Sequence, residues 1–432
     1  MSFLSHRPGD PLQSSAILYP ILLLPPEILA EIFSFVVDAT FHFGDISEVS
    51  GPASSQAPWL LTRVCHRWTE VALRTPCLWS MVFLDLDRVG ERGDVQLTRL
   101  RHDRSRNAPL TVKIFCEQDW RESHPVLDAA MAHCERWGEA DLYITLPLAF
   151  QLAAVRARLS ALITLGISLR LDDESEADPA FWDTFMDSPN LKTLCASFWD
   201  DHHLLSSPFA FPWHQLTRLS TTFFSNTEAL SVLQALSSAI ECRLEYAREA
   251  ALPEQPIPTC LPYLRSLLLQ MEEESRPSGR IHHRRTSLLD WLETPSLEHL
   301  STYHTADAEA VLALLARSHC AASLHSFHFH SSSALPDVLL LLVQAMPCLM
   351  DLEIGDFNGA LSTRSAVSTF VRALSVHWET RSPPRQPLSV WLVDRMYSTG
   401  SVQDLSVMYK DGFIVEISPN MCFRSLVADS FR

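Results

Sequence analysis

His325, His328 and His330 sit in one short segment, and Glu353 follows one repeat later. Two imidazoles and a carboxylate can hold a metal ion if the backbone turns them to one face. In an extended strand, Leu324, Phe327 and Phe329 would point one way and His328 and His330 the other. Glu353 falls beside His328 on the same frame. Spacing fixes no third protein ligand, so the group reads as polar surface on a sheet rather than a metal centre. Cys65-His66 is a thiol beside an imidazole. The apolar pattern around it predicts a helix, where adjacent side chains do not face each other, so Cys65 reads as a core residue. His202-His203 and His282-His283 are adjacent pairs in polar loops and make poor chelates. The acidic run at 172–178 reads as a solvated loop. No GxSxG, HExxH, SxxK, GxGxxG or Walker-type loop occurs. Neither catalytic residues nor a cofactor are therefore expected.

The elements that must position these residues form a series. An LxxLxL frame starts at Trp137, Leu162, Leu191, Leu216, Leu264, Leu297, Leu324 and Leu349. The steps are 25, 29, 25, 48, 33, 27 and 25 residues, and CRLEYA near Leu244 supplies a degenerate member inside the long step. Before the series, NAPLTVKIFC reads as a first strand. Helical patterns fill the gaps at 225–240, 305–319, 333–346 and 363–378, the first with Ser225 and Glu228 at capping-box spacing. One strand and one helix per step bury a shared core only by stacking, which predicts a curved α/β solenoid. A period in the twenties with LxxLxL resembles leucine-rich repeats, though their asparagine ladder is missing.

The N-terminal segment differs. Leu24-Pro25-Pro26-Glu27-Ile28-Leu29 with Ile32-Phe33 opens a helix, since a proline at its start lacks only an N–H that would be unpaired there. A second helix is expected through Leu60, Leu61, Val64, Cys65, Trp68, Val71 and Ala72, and Thr75-Pro76 ends it before Cys77-Leu78-Trp79. The ordered combination of LPPEIL, VCHRW and TPCLW resembles an F-box. The layout of the whole chain resembles the F-box-like proteins abundant in mushroom-forming fungi. The likeness covers about 60 residues, and an insert near 39–58 separates its halves. The first helix carries apolar residues on nearly every side, Phe35, Val36 and Val37 included. So small a unit cannot bury them all, which leaves some for a partner groove or for the downstream domain to cover.

The expected architecture is an α/β chain. A flexible terminus at 1–16 precedes a helical F-box-like domain at 17–85, and an irregular leucine-rich-repeat-like solenoid occupies 86–432. The resemblance implies a Skp-type adaptor as partner and, through it, a cullin. It assigns that contact to Leu24, Pro25, Pro26, Ile28, Leu29, Ile32, Phe33, Val64, Trp68, Leu78 and Trp79. An unidentified protein target is expected on the outward strand positions around Tyr303, His328, His330 and Glu353. The alternative is a non-catalytic scaffold whose helical segment only caps the solenoid.

Composition narrows the partners. The net charge of −17 disfavours nucleic acid, which needs a cationic surface. The apolar run at 17–24 is too short for a bilayer and lacks a basic flank, so neither a membrane span nor a signal peptide is expected. Ten scattered cysteines without a CxxC read as reduced thiols in the cytoplasm or nucleus. Arg276, Arg280, Arg284 and Arg285 lie in a loop whose preceding glutamates nearly balance them.

Overall fold

The structure is a computed structural model that describes residues 20–42, 58–87, 93–118, 124–170, 183–200, 203–204, 210–248, 258–271, 287–305, 307–330, 336–355, 388–393 and 413–418. The acidic run at 172–178, the arginine-rich loop at 276–285, the histidine pair at 282–283 and the helical pattern at 363–378 lie outside the described residues.

Helix α1 (Pro26–His42) begins with its proline and Glu27 in the first turn, where the free N–H groups and the helix dipole favour a carboxylate. Leu29, Phe33 and Val37, spaced by four, form its buried stripe. Helix α2 (His66–Arg74) starts later than the periodicity predicts. Cys65 is extended at φ −161° and ψ 168°, and a separate 3-10 turn covers Leu61–Arg63. The expected continuous helix is thus broken, and Cys65 is its N-terminal flank rather than part of an apolar stripe. Thr69 Oγ1 donates to the carbonyls of Thr62 (2.8 Å) and Cys65 (3.0 Å), which offsets backbone pairing lost at the break. The break lets Trp59 and Leu61 turn inward. Trp59 meets Trp79 edge-on at 4.8 Å, and Trp79 Nε1 donates to the Ala72 carbonyl at 2.8 Å. With Leu29, Phe33, Val37, Val71, Ala72 and Leu78 these residues make a core separate from that of the sheet.

The sheet starts inside the segment assigned to the helical unit. Its strands are β1 (Met81–Asp85), β2 (Leu110–Phe115), β3 (Trp137–Thr145), β4 (Thr164–Arg170), β5 (Thr193–Asp200) and β6 (His203–Leu204). They continue as β7 (Arg218–Ser225), β8 (Glu241–Arg248), β10 (Ser266–Met271), β12 (His299–Tyr303), β13 (Ser326–His330), β14 (Asp351–Gly355), β15 (Leu388–Val393) and β16 (Phe413–Ser418). Among the described strands of this sheet only β6 is off the path and antiparallel; the others are parallel neighbours in chain order. β9 (Thr259–Cys260) and β11 (Leu292–Glu293) pair apart from it. Parallel neighbours in chain order are what stacked strand-and-crossover repeats produce. Every expected LxxLxL member became a strand, including the degenerate one as β8. The inward rows are apolar almost throughout: Val112, Ala140, Leu165, Leu194, Leu219, Cys242, Leu267, Leu300, Phe327 and Leu352 are all buried.

The missing asparagine ladder has a substitute built from changing residue types. Asn190, Gln215, Ser237, Ser296 and Ser323 each donate a side-chain hydrogen bond to a carbonyl of the preceding turn, at Ser160, Ser188, His214, Pro262 and Leu297, over 2.6–2.9 Å. Next to them, one carbonyl accepts two successive N–H groups of the following repeat, as Ile163 does from Lys192 and Thr193.

Helices pack behind the sheet. They are α3 (Gly93–Ser105), α4 (Pro125–Met131), α5 (Leu146–Gln151), α6 (Asn226–Ala235), α7 (Ala308–Ser318) and α8 (Pro336–Ala345). Asp307 caps α7 by accepting from Ala310 N at 2.8 Å. The capping box expected at Ser225 does not form: its hydroxyl pairs with Thr227 Oγ1 at 2.8 Å and leaves the α6 N–H groups alone.

Helix α3 joins the two parts. Arg104 lies over Trp59 (4.6 Å) and Trp79 (4.3 Å), while Arg101 Nη1 donates to the Met81 carbonyl at 2.9 Å. His102 between them is buried, with neither ring nitrogen hydrogen-bonded, and its ring is 4.6 Å from that of His133. Burial, then the neighbouring His133, Arg136 and Arg101, pushes its pKa down to about 3. Unfolded histidine titrates near 6.5, so below that pH the unfolded chain binds the extra proton and stability falls. Acidification from pH 6.5 to 5 costs about 2 kcal/mol through this group. Urea melts at the two pH values will show that loss, and His102→Phe will reduce it.

Candidate functional site

Two surfaces carry side chains that the fold leaves available. The first is the outer side of α1. Ile28, Phe35 and Val36 are 48 %, 66 % and 41 % exposed, and Ile32 is half-buried beside them at helical spacing. Leu23, Leu60 and Val64 of the same unit are exposed too. Arg67 donates to the Leu24 carbonyl and so ties the chain before α1 to α2. Of the eleven residues assigned to an adaptor, Leu29, Phe33, Leu78 and Trp79 are fully buried and build the unit's core instead. Leu24, Ile32 and Trp68 are half-buried, while Pro25, Pro26, Ile28 and Val64 are exposed. Phe35 and Val36 belong with these, and the helical spacing from Ile28 is the signal that finds them.

The second surface is the open face of β12–β14. The register pairs Ser301 with His328 and His328 with Glu353; it also pairs Tyr303 with His330 and His330 with Gly355. The expected frame holds, and all four assigned residues project from this face. Burial separates them. Tyr303 and His330 are 3 % and 4 % exposed, because their rings lie against each other at 4.5 Å. They support the surface rather than present themselves on it, which corrects their assignment as contact residues. His328 and Glu353 stay partly open, joined by Ser326 and Asp351, which periodicity did not single out.

These groups form one network. His328 Nε2 is 3.0 Å from Asp351 Oδ2, and Ser326 Oγ lies 3.2 Å from both. His330 Nε2 is 2.6 Å from Glu353 Oε1. A carboxylate only accepts, so in both histidines Nε2 carries the proton. Burial alone would raise the Glu353 carboxyl, but the His330 hydrogen bond and the two imidazoles outweigh it and hold it below its ordinary value. Burial, with the Glu353 charge, raises the Tyr303 phenol. No metal-holding group of three or more side chains occurs among the described residues.

Gly355 makes the arrangement possible. A methyl group there would run into the His330 ring. Gly355→Ala is expected to displace that ring, break its bond to Glu353 and destabilise the chain by about 1–3 kcal/mol through overpacking. Histidine ring resonances before and after the change, with a urea melt, check both effects.

No family model matches the chain, and no curated protein does. Among solved structures, the chain is similar to one described as the crystal structure of a TLR13–ssRNA13 complex, with 12 % identity and a TM-score of 0.31. The match covers 66 % of this chain and 38 % of the other, so the chain spans well under half of that protein's length. Among the described residues, no helix is long and apolar enough to cross a membrane.

Proposed function

We propose that this chain is the substrate-recognition subunit of a Skp–cullin–F-box type ubiquitin ligase. The helical unit docks on the Skp-type adaptor, and through it on a cullin. The open face of the solenoid holds a protein target, and the chain's own residues take no catalytic part.

The observation that carries this reading is the outer side of α1. Its apolar side chains are covered neither by the unit's core nor by the sheet. Transferring Ile28, Phe35 and Val36 from half-exposed to buried contributes roughly 1 kcal/mol each, taking half of the usual value for a large apolar side chain. The motif series LPPEIL, VCHRW and TPCLW supplies the identity of the partner.

The second reading, a scaffold whose helical unit only caps the solenoid, draws on α3. Arg101 and Arg104 fasten the helical unit to the first strand as a cap would be fastened. A cap, however, needs no core of its own and no apolar outer stripe. Co-expression of the full chain with the adaptor, followed by size-exclusion chromatography, tests the two. A stable one-to-one complex supports the receptor; two separate peaks support the cap.

A further inference from the structure

We propose that the packing of α3 on the turn before β3 is an acid-operated joint: a proton taken up at His102 opens it and loosens the helical unit from the solenoid while the stacked strands stay folded. The device depends on neither of the partners proposed above.

Helix α3 is fastened on two sides. Towards the helical unit, Arg104 lies over Trp59 and Trp79, and Arg101 holds the Met81 carbonyl. Towards the solenoid, Arg136 of the 3-10 turn Cys134–Arg136 donates to Ser105 Oγ at 2.7 Å and to the Ala108 carbonyl at 2.8 Å. His102 belongs to this second contact, its ring tilted against that of His133. The side chain is buried and neither ring nitrogen has a hydrogen-bond partner. A neutral imidazole keeps one N–H and one lone pair, so the closed joint already leaves both unmet. A proton there would add a buried charge.

Among the described residues, no carboxylate bonds the ring. On α3 itself the neighbours are Arg101, Arg104 and Asp103, and Asp103 is exposed. The turn brings His133 and Arg136, while its Glu135 lies 3.3 Å from Arg158 and 3.9 Å from His133 on the outer side. Helix α4 offers Asp128, which is exposed, and the 3-10 turn Pro76–Trp79 has no charged side chain. His133, Arg136 and Arg101 each oppose a proton on His102. The ring is therefore protonated most readily by reaching water, and α3 is the side that can move. Opening it breaks the Arg136 hydrogen bonds and the imidazole contact, whereas exposing the strands would break ladder bonds and the large apolar core. The open joint binds the proton. The closed form is thus fully favoured above about pH 6.5 and loses ground as the pH falls towards 3. From pH 7 to pH 5 the opening becomes roughly 25-fold more frequent.

The test reads thiols of the full-length chain. Cys134 is buried in the turn on which His102 packs, Cys242 is buried on β8, and Cys260 is exposed. The chain is treated with dithiodipyridine at pH 7 and pH 5, and labelled peptides are identified by mass spectrometry. The Cys260 rate at each pH corrects for the reagent. Cys134 is expected to react at least tenfold faster than Cys242 at both values and to gain about 25-fold from pH 7 to pH 5. His102→Gln and, independently, His102→Phe should cut that gain below threefold. The wild-type comparison of the two buried thiols stands even where a variant fails to fold. Equal corrected rates at Cys134 and Cys242 would mean a single global unfolding and overturn the proposal. So would a Cys134 rate that ignores pH, or an acid gain that survives in a folded variant.

Discussion

Trp79→Ala is expected to cost about 3–5 kcal/mol, enough to melt the N-terminal helical unit. The indole is fully buried, packs edge-on against Trp59, carries the Arg104 guanidinium on its face and donates to the Ala72 carbonyl. Its removal leaves a large cavity and takes the shorter of two hydrogen bonds from that carbonyl, which keeps only Thr75 N at 3.4 Å. Because the unit's core is separate from that of the sheet, the loss will be local. Hydrogen exchange will show protection vanishing over α1 and α2 while the inward strands keep theirs. Global loss of protection would mean that the helical unit and the solenoid are one cooperative body.

Ile28→Glu combined with Phe35→Glu has the opposite profile. Both side chains are exposed, so unfolding stability should change by less than about 0.5 kcal/mol. Adaptor binding should fall by a factor of 100 or more, because two buried anchors become charges without partners at the centre of an interface. Isothermal titration of the purified double variant against the adaptor measures this, with a thermal melt confirming the fold. Unchanged affinity would remove α1 from the interface.

Much of the architecture was legible because apolar spacing and strand geometry share a period. In LEHLSTY and LHSFHFH the LxxLxL spacing sets Leu300 and Thr302, and Phe327 and Phe329, on the inward side, so their register could be read before any coordinates. β1 escaped because MVFLD lies one residue beyond Cys77-Leu78-Trp79 and was absorbed into the helical motif. The break at Cys65 escaped because an apolar stripe reports which side chains go inside, not whether the backbone stays continuous. The substitute for the asparagine ladder could not be seen either, since its donors change from amides at Asn190 and Gln215 to hydroxyls at Ser237, Ser296 and Ser323.

The two surfaces were legible to different depths. On α1 the excess of apolar residues predicted an uncovered side, but the motif named Leu29 and Phe33, which face the core, and passed over Phe35. On the open face the frame placed Tyr303 and His330 outward correctly. It could not foresee that ring packing between neighbouring strands buries them, because burial there depends on side chains one repeat away. Gly355 had one signal in its favour: glycine is scarce in this chain, at 12 residues, and this one sits at a strand end beside a histidine.

The central claim is that the outer side of α1 is the surface that meets the adaptor. The most direct measurement places a photo-crosslinking benzoylphenylalanine at position 35 of the full-length chain, and in a second sample at position 341, where Leu341 is also exposed but lies on α8. Each is irradiated with purified Skp-type adaptor. The account predicts a crosslinked adduct from position 35 and none from position 341. An adduct from 341 alone, or from neither position in a chain that remains folded, would contradict it.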